Sequence, residues 1–209
     1  MKNNYILIEE FNNMELDKSL KWFSPPQNWE ISSNNSKLIV KTDKETDFWQ
    51  KTHYDFQVDN GHFLYRELNG NFRVITKISS KPENRYDQAG LMVRFSKDNW
   101  LKTSVEYIPN ENSKLGVVVT KNGYSDWSSQ DFSEDFKSLY YRITGKGSNY
   151  YVDYSLDGVI WKQIRMAHLF EESDCIKVGI YACSPQGEGY EVEFDFIKIE
   201  HINDNIKVY

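Results

Sequence analysis

The chain has 209 residues and a formal net charge of −6, with 14 Tyr, 12 Phe and 6 Trp. That length can bury a core without disulfides or metals, and it suits one domain of the larger all-β kind spanning residues 1–209. An acidic balance with no Lys/Arg-rich block excludes a phosphate-backbone footprint, and hence nucleic acid as partner, and no apolar run nears the ~20 residues that cross a bilayer.

The opening MKNNYILIEEFNN has too short an apolar run before Glu9 and Glu10 to read as a signal peptide, so a reducing, cytoplasmic setting is expected. Cys175 and Cys183 then read as free thiols. His53, His62, His168 and His201 are scattered without HxH or HExxH spacing, so neither metal nor cofactor is expected. FSPPQNWE (23–30) reads as a loop.

Period-two alternation dominates the rest. Strands are predicted at KLIVKT (37–42), HFLYREL (62–68), FRVITKI (72–78), AGLMVRFS (89–96) and WLKTSVEY (100–107). They continue at LGVVVTK (115–121), SLYYRITG (138–145), NYYVDYS (149–155), VIWKQI (159–164), IKVGIYA (176–182) and YEVEFDFIKIE (190–200). Asn69-Gly70, Asn122-Gly123 and Asp157-Gly158 mark tight hairpin turns, because both central residues of a type I′ turn need positive φ. HLFEES (168–173) is the one place for a short helical turn. Many strands, short turns and no crossover helices predict two packed antiparallel sheets.

The pair at 89–107 carries the strongest functional signal. A three-residue loop at Lys97-Asp98-Asn99 would set Arg94 opposite Lys102 and Phe95 opposite Leu101. Leu91, Val93, Phe95, Leu101, Thr103 and Val105 then share a core face, while Met92, Arg94, Trp100, Lys102, Ser104 and Glu106 share the other. Opposed cations are unfavourable without a nearby anion, so that face reads either as a solvated surface with ordinary ion pairs or as a ligand groove. Arg142, on SLYYRITG, would join it if that strand lies in the same sheet. With cations beside it, Glu106 is expected to have a lowered pKa and to anchor a ligand rather than donate a proton.

Three further features bear on function. Asp126 and Trp127 follow the Asn-Gly turn in what reads as an irregular Ser-rich loop, where an indole can stack on a sugar ring. His62, beside Gly61 at a strand start, is a weaker candidate. Glu191, Glu193 and Asp195 share one face of the last predicted strand with a spacing that permits acid pairs, but their place argues for a solvated edge.

YDQAGLMVR, DNWLKTSVEY, VVVTKNGYSDWSS, YSLDGVIW and VGIYACSPQGEGYEVEF together resemble, in order, the YesU-like group of bacterial domains, which is similar to proteins named for regulation of enolase. The resemblance spans roughly residues 10–200. It implies a concanavalin A-like lectin/glucanase fold, a jelly-roll sandwich. The family pattern includes Gln88, Gly90, Arg94, Lys102 and Glu106 with Ser125-Asp126-Trp127, all present here. It carries no established catalytic residues. The expected function is non-catalytic binding of a sugar or oligosaccharide on the polar concave face of one sheet. A protein-interaction or regulatory module and a glycan-hydrolysing enzyme are the alternatives.

Overall fold

A computed structural model describes residues 4–132, 138–173, 175–206 and 208. Among them, seventeen strands and no helix are found, numbered here in chain order. One sheet runs β15 (Lys162–His168), β14 (Asn149–Ser155), β13 (Leu139–Lys146), β8 (Phe72–Lys81), β17 (Glu191–His201), β4 (Lys37–Lys41) and β3 (Asn28–Ser32); β1 (Tyr5–Glu9) also pairs with β17. The second runs β12 (Tyr124–Phe132), β11 (Ser113–Lys121), β10 (Trp100–Glu106), β9 (Gln88–Arg94), β16 (Ile176–Cys183), β7 (His62–Leu68) and β2 (Lys21–Phe23). A two-stranded ribbon, β5 (Phe48–Gln50) and β6 (Gln57–Asp59), stands apart.

The two large sheets face each other across one apolar layer. Leu64, Leu91, Val93, Leu101, Val117 and Ile180 come from the seven-stranded sheet; Val74, Ile143, Val152, Val192 and Ile199 come from its partner. Alternation along each strand produces this, since successive side chains point to opposite faces. What distinguishes the fold is a second apolar cluster on the outer face of the seven-stranded sheet. There Phe63, Tyr65, Met92, Trp100, Val118, Tyr181 and Cys183 are covered by Phe48 of the ribbon. That face is therefore not a simple solvated surface.

Several local expectations are corrected. β10 pairs with β9 two residues out of the predicted register: Arg94 lies opposite Trp100, and Lys102 opposite Met92. The connecting loop is longer because Phe95 and Ser96 N–H both donate to the Asn99 carbonyl. A two-residue shift preserves which face each side chain takes, so the separation of apolar from polar stands. Only at Asn122-Gly123 do both turn residues have positive φ, 52° and 75°. Neither Asn69 nor Asp157 does; Asp157 instead accepts from Val159 and Ile160 N–H, both at 2.8 Å, closing a wider loop. The stretch 168–173 forms no helical turn; Asn28, Trp29 and Glu30, read as the end of a loop, begin the strand Asn28–Ser32, and Tyr124–Phe132, read as a loop, is a strand.

Candidate functional site

Segment 43–61 leaves the eight-stranded sheet after β4, crosses the outer face of the seven-stranded sheet and returns into β7. Its short ribbon is pinned by specific contacts. Phe48 seats against Trp100 and Tyr181 at ring-centroid distances of 6.2 and 6.3 Å. Gln50 N–H donates to Ser125 Oγ at 2.9 Å, and Asn60 Oδ1 accepts from Asp47 N–H at 2.9 Å. The turn Lys51–Phe56 is tight: Lys51, His53 and Asp55 all have positive φ, as does Glu45 just before the ribbon. Four non-glycine residues in that region within so short a segment store strain that the surrounding contacts must hold.

The ribbon also supplies the anions that Arg94 and Lys102 lack on their own sheet. Arg94 makes a bidentate pair with Asp59, 2.6 and 2.8 Å, and its guanidinium lies 4.7 Å from the Phe23 ring centroid. Lys102 is buried and donates to Asp47 at 3.0 Å, between the rings of Trp100 and Tyr181. Burial opposes the Lys102 charge, but the carboxylates of Asp47 and Glu106 outweigh it and hold its pKa above the ordinary lysine value. Gln88 is fixed at both ends: its Oε1 accepts from Tyr181 Oη at 3.1 Å, and its Nε2 donates to the Tyr86 carbonyl at 3.1 Å.

Beside this junction lies a cavity of about 410 Å³. Gln88, Lys102 and Glu106 line it from the sheet, and Asp47 from the ribbon. Rings of Trp49, Tyr54, Phe56, Tyr86 and Trp127 supply its aromatic wall, while Glu45, Val58, Pro185 and Gln186 complete the lining. Trp127 sits where it does because β12 pairs with β11, putting Trp127 opposite Val118 on the outer face. The neighbouring Gly116 makes room: a Cβ there would come within 2.7 Å of the indole nitrogen.

Glu106 is the chemically unusual member. It is half-buried, and among the described residues its carboxyl has no hydrogen bond and no ion pair. Burial pushes its pKa up to about 7; Lys102 opposes the rise and Asp47 adds to it. The expectation of a lowered value is thus reversed. The Lys102 ammonium is engaged by Asp47, and desolvation of the carboxylate outweighs what attraction remains.

The expected site residues separate into two groups. Gln88, Lys102, Glu106 and Trp127 line one cavity. Arg94 is on the same face but is buried under the ribbon in its pair with Asp59. Arg142 is in β13, in the other sheet, where it donates to Asp153 at 2.9 Å and stacks over Trp161. Asp126 takes the opposite face of β12 from Trp127 and pairs with Arg165 at 3.0 Å, tying the two sheets at their edge. His62 is buried elsewhere. It donates from Nδ1 to the Ser24 carbonyl at 2.7 Å and accepts at Nε2 from Asp43 N–H at 2.9 Å, and burial keeps it neutral by lowering its pKa.

Glu193 and Asp195 lie on the outer face of the eight-stranded sheet, in ion pairs with Lys37 and Lys77, in a central strand rather than at an edge. Trp49 is noted in sequence beside a turn, and the lining residues that sequence reasoning missed include Glu45, Asp47, Tyr54, Phe56 and Tyr86. TDFWQKTHYDF carries a dense aromatic–acidic composition, the one signal that could have flagged it.

Among the described residues no group of three or more His, Cys, Asp or Glu is arranged to hold a metal ion, and no helix is long and apolar enough to cross a membrane.

A family model described as "Protein of unknown function (DUF1349)" matches residues 22–202. The chain is 35% identical over 185 residues to "Regulation of enolase protein 1" of Saccharomyces cerevisiae, covering 88% of this chain and 90% of that one. A crystal structure of a functionally unknown protein from Saccharomyces cerevisiae superposes with a TM-score of 0.80 at 32% identity, covering 88% of this chain and 97% of that chain. More distant likenesses concern the fold alone. A GH43 protein of Bacillus licheniformis has a TM-score of 0.74 at 18% identity, this chain matching 40% of it over 97% of its own length. A β-1,3-glucanase of Mycobacterium marinum has a TM-score of 0.58 at 11% identity, covering 95% of this chain and all of that one. The architecture is the expected all-β, concanavalin A-like sandwich of two antiparallel sheets.

Proposed function

We propose that this chain, which belongs to the DUF1349 family, binds a carbohydrate in the cavity between the β5–β6 ribbon and the outer face of the seven-stranded sheet. One observation carries the reading: a cavity of about 410 Å³ walled by five aromatic side chains, with an amide, an amine and carboxyls converging on it. Small-ligand sites are apolar clefts of ~300–1,000 Å³ with a few placed polar groups. Aromatic faces accept the C–H face of a sugar ring, while Gln88, Lys102 and Glu106 offer hydrogen bonds to hydroxyls. A glycan-array screen with calorimetric follow-up tests this. Saturable binding that Trp127→Ala weakens supports it; no binding across neutral, amino and acidic oligosaccharides sinks it.

A second reading is favoured by the likeness to a relative named for regulation of enolase. In it, the chain docks a metabolic enzyme and regulates it. Co-elution with purified enolase on size exclusion would support that reading. Independent elution at micromolar concentrations would count against it. A hydrolytic role also has a specific support, because Asp47 and Glu106 are two carboxyls lining one cavity and, of that pair, Glu106 has no ion-pair partner among the described residues. Release of reducing ends from a bound oligosaccharide, lost in Glu106→Gln, is its test.

A further inference from the structure

The charges around the cavity are unequal. Three carboxyls line it, from Glu45, Asp47 and Glu106, and among the described residues Lys102 is the one cation in the lining. Lys102 is already engaged by Asp47 at 3.0 Å. Among the described residues, Glu106 in the wall and Glu45 at the rim have no ion-pair partner, and Glu106 has no hydrogen-bond donor. Around them stand the rings of Trp49, Tyr54, Phe56, Tyr86 and Trp127. Aromatic faces attract a cation within ~6 Å of the ring centroid, and most strongly where the cation is desolvated. An open carboxyl in an aromatic wall, with a second at its rim, is thus complementary to a positive ligand. Both repel a negative one, because a further carboxylate there would have no counter-charge to meet.

Resting on the carbohydrate-binding reading above, we propose that the cavity selects a sugar bearing a free, protonated amino group over its neutral and acidic counterparts. In this arrangement the ammonium meets Glu106, and the ring stacks on the aromatic wall. Lys102 stays with Asp47 and takes no part in binding the amine. Burial already raises Glu106 toward neutrality, so an arriving ammonium favours its ionised form and is favoured by it.

The test is calorimetric titration at pH 7 of the whole chain with three trisaccharides: fully deacetylated chitotriose, its N-acetylated form and trigalacturonic acid. The deacetylated sugar is expected to bind about tenfold or more tighter than the acetylated one, with no measurable binding of the uronic acid. Glu106→Gln is expected to remove that preference while leaving the neutral sugar's affinity within about twofold. Should that variant fail to fold, Glu45→Gln at the rim is expected to reduce the preference by about threefold. Equal or tighter binding of the neutral sugar, or binding of the uronic acid, overturns the selectivity and leaves carbohydrate binding standing. Failure of all three to bind overturns both.

Discussion

Replacing Glu106 by Gln removes one titrating group from the cavity wall and keeps its size, so it isolates the electrostatic cost of that group. In the folded chain the Glu106 carboxyl loses its proton near pH 7, against an ordinary 4.5. Between those values the folded state holds a proton that the unfolded state has lost. Unfolding then releases protons, and stability falls as pH rises. The contribution is complete below pH 4.5 and gone once pH passes about 7. At 1.36 kcal/mol for each pH unit it totals about 3 kcal/mol, of which roughly 2–3 kcal/mol is lost between pH 5 and 8. The variant has no such loss, so its stability relative to wild type should rise by that amount over the same interval. Urea denaturation of both proteins at pH 5 and pH 8 measures it, because other titrating groups are common to both and cancel. Parallel stabilities, within about 0.5 kcal/mol at both pH values, would mean the folded carboxyl is as well hydrated as in the unfolded chain, and the reasoning about this cavity would be refuted.

Three other substitutions probe the parts that shape the site. Lys102→Ala leaves Asp47 facing the sheet without its counter-ion and removes a buried stem; chemical denaturation should show a loss of about 3–5 kcal/mol. Gly90→Ala would put a Cβ 1.7 Å from the Thr103 carbonyl oxygen, so the β9–β10 pair must separate, and a loss of about 3 kcal/mol or failure to accumulate as folded protein is expected. Trp127→Ala, at a residue that is 40% exposed, should change the unfolding free energy measured in urea by less than about 1 kcal/mol yet weaken sugar binding about tenfold in the same calorimetric assay.

How far the site could be read from sequence depends on the range of the interactions involved. Parity along a strand is local, so the faces of β9 and β10 were legible even with the wrong register. The register itself depends on the loop, and Asn99 is held there by Glu171 and Asn122, far away in sequence. The partners of Lys102 and Arg94 lie 55 and 35 residues away on a ribbon whose strands are each three residues long. Strands so short show no period, so nothing marked the ribbon as a cover over the polar face. That cover explains the largest reversal. Cations read as open to a ligand are neutralised inside a second apolar cluster, and the carboxylate expected to be stabilised by them is left desolvated. Arg142 was misplaced for a related reason: a strand's own pattern shows that it has a buried face, but not which sheet it joins.

The central claim is that a sugar occupies the cavity formed by the ribbon and the seven-stranded sheet, and a crystal soaked with deacetylated chitotriose tests it most directly. Ring density against Trp127 and Tyr86, with an amino nitrogen within hydrogen-bond distance of Glu106, is the expected result. An empty cavity at a saturating concentration, or the sugar bound on another face, would contradict it.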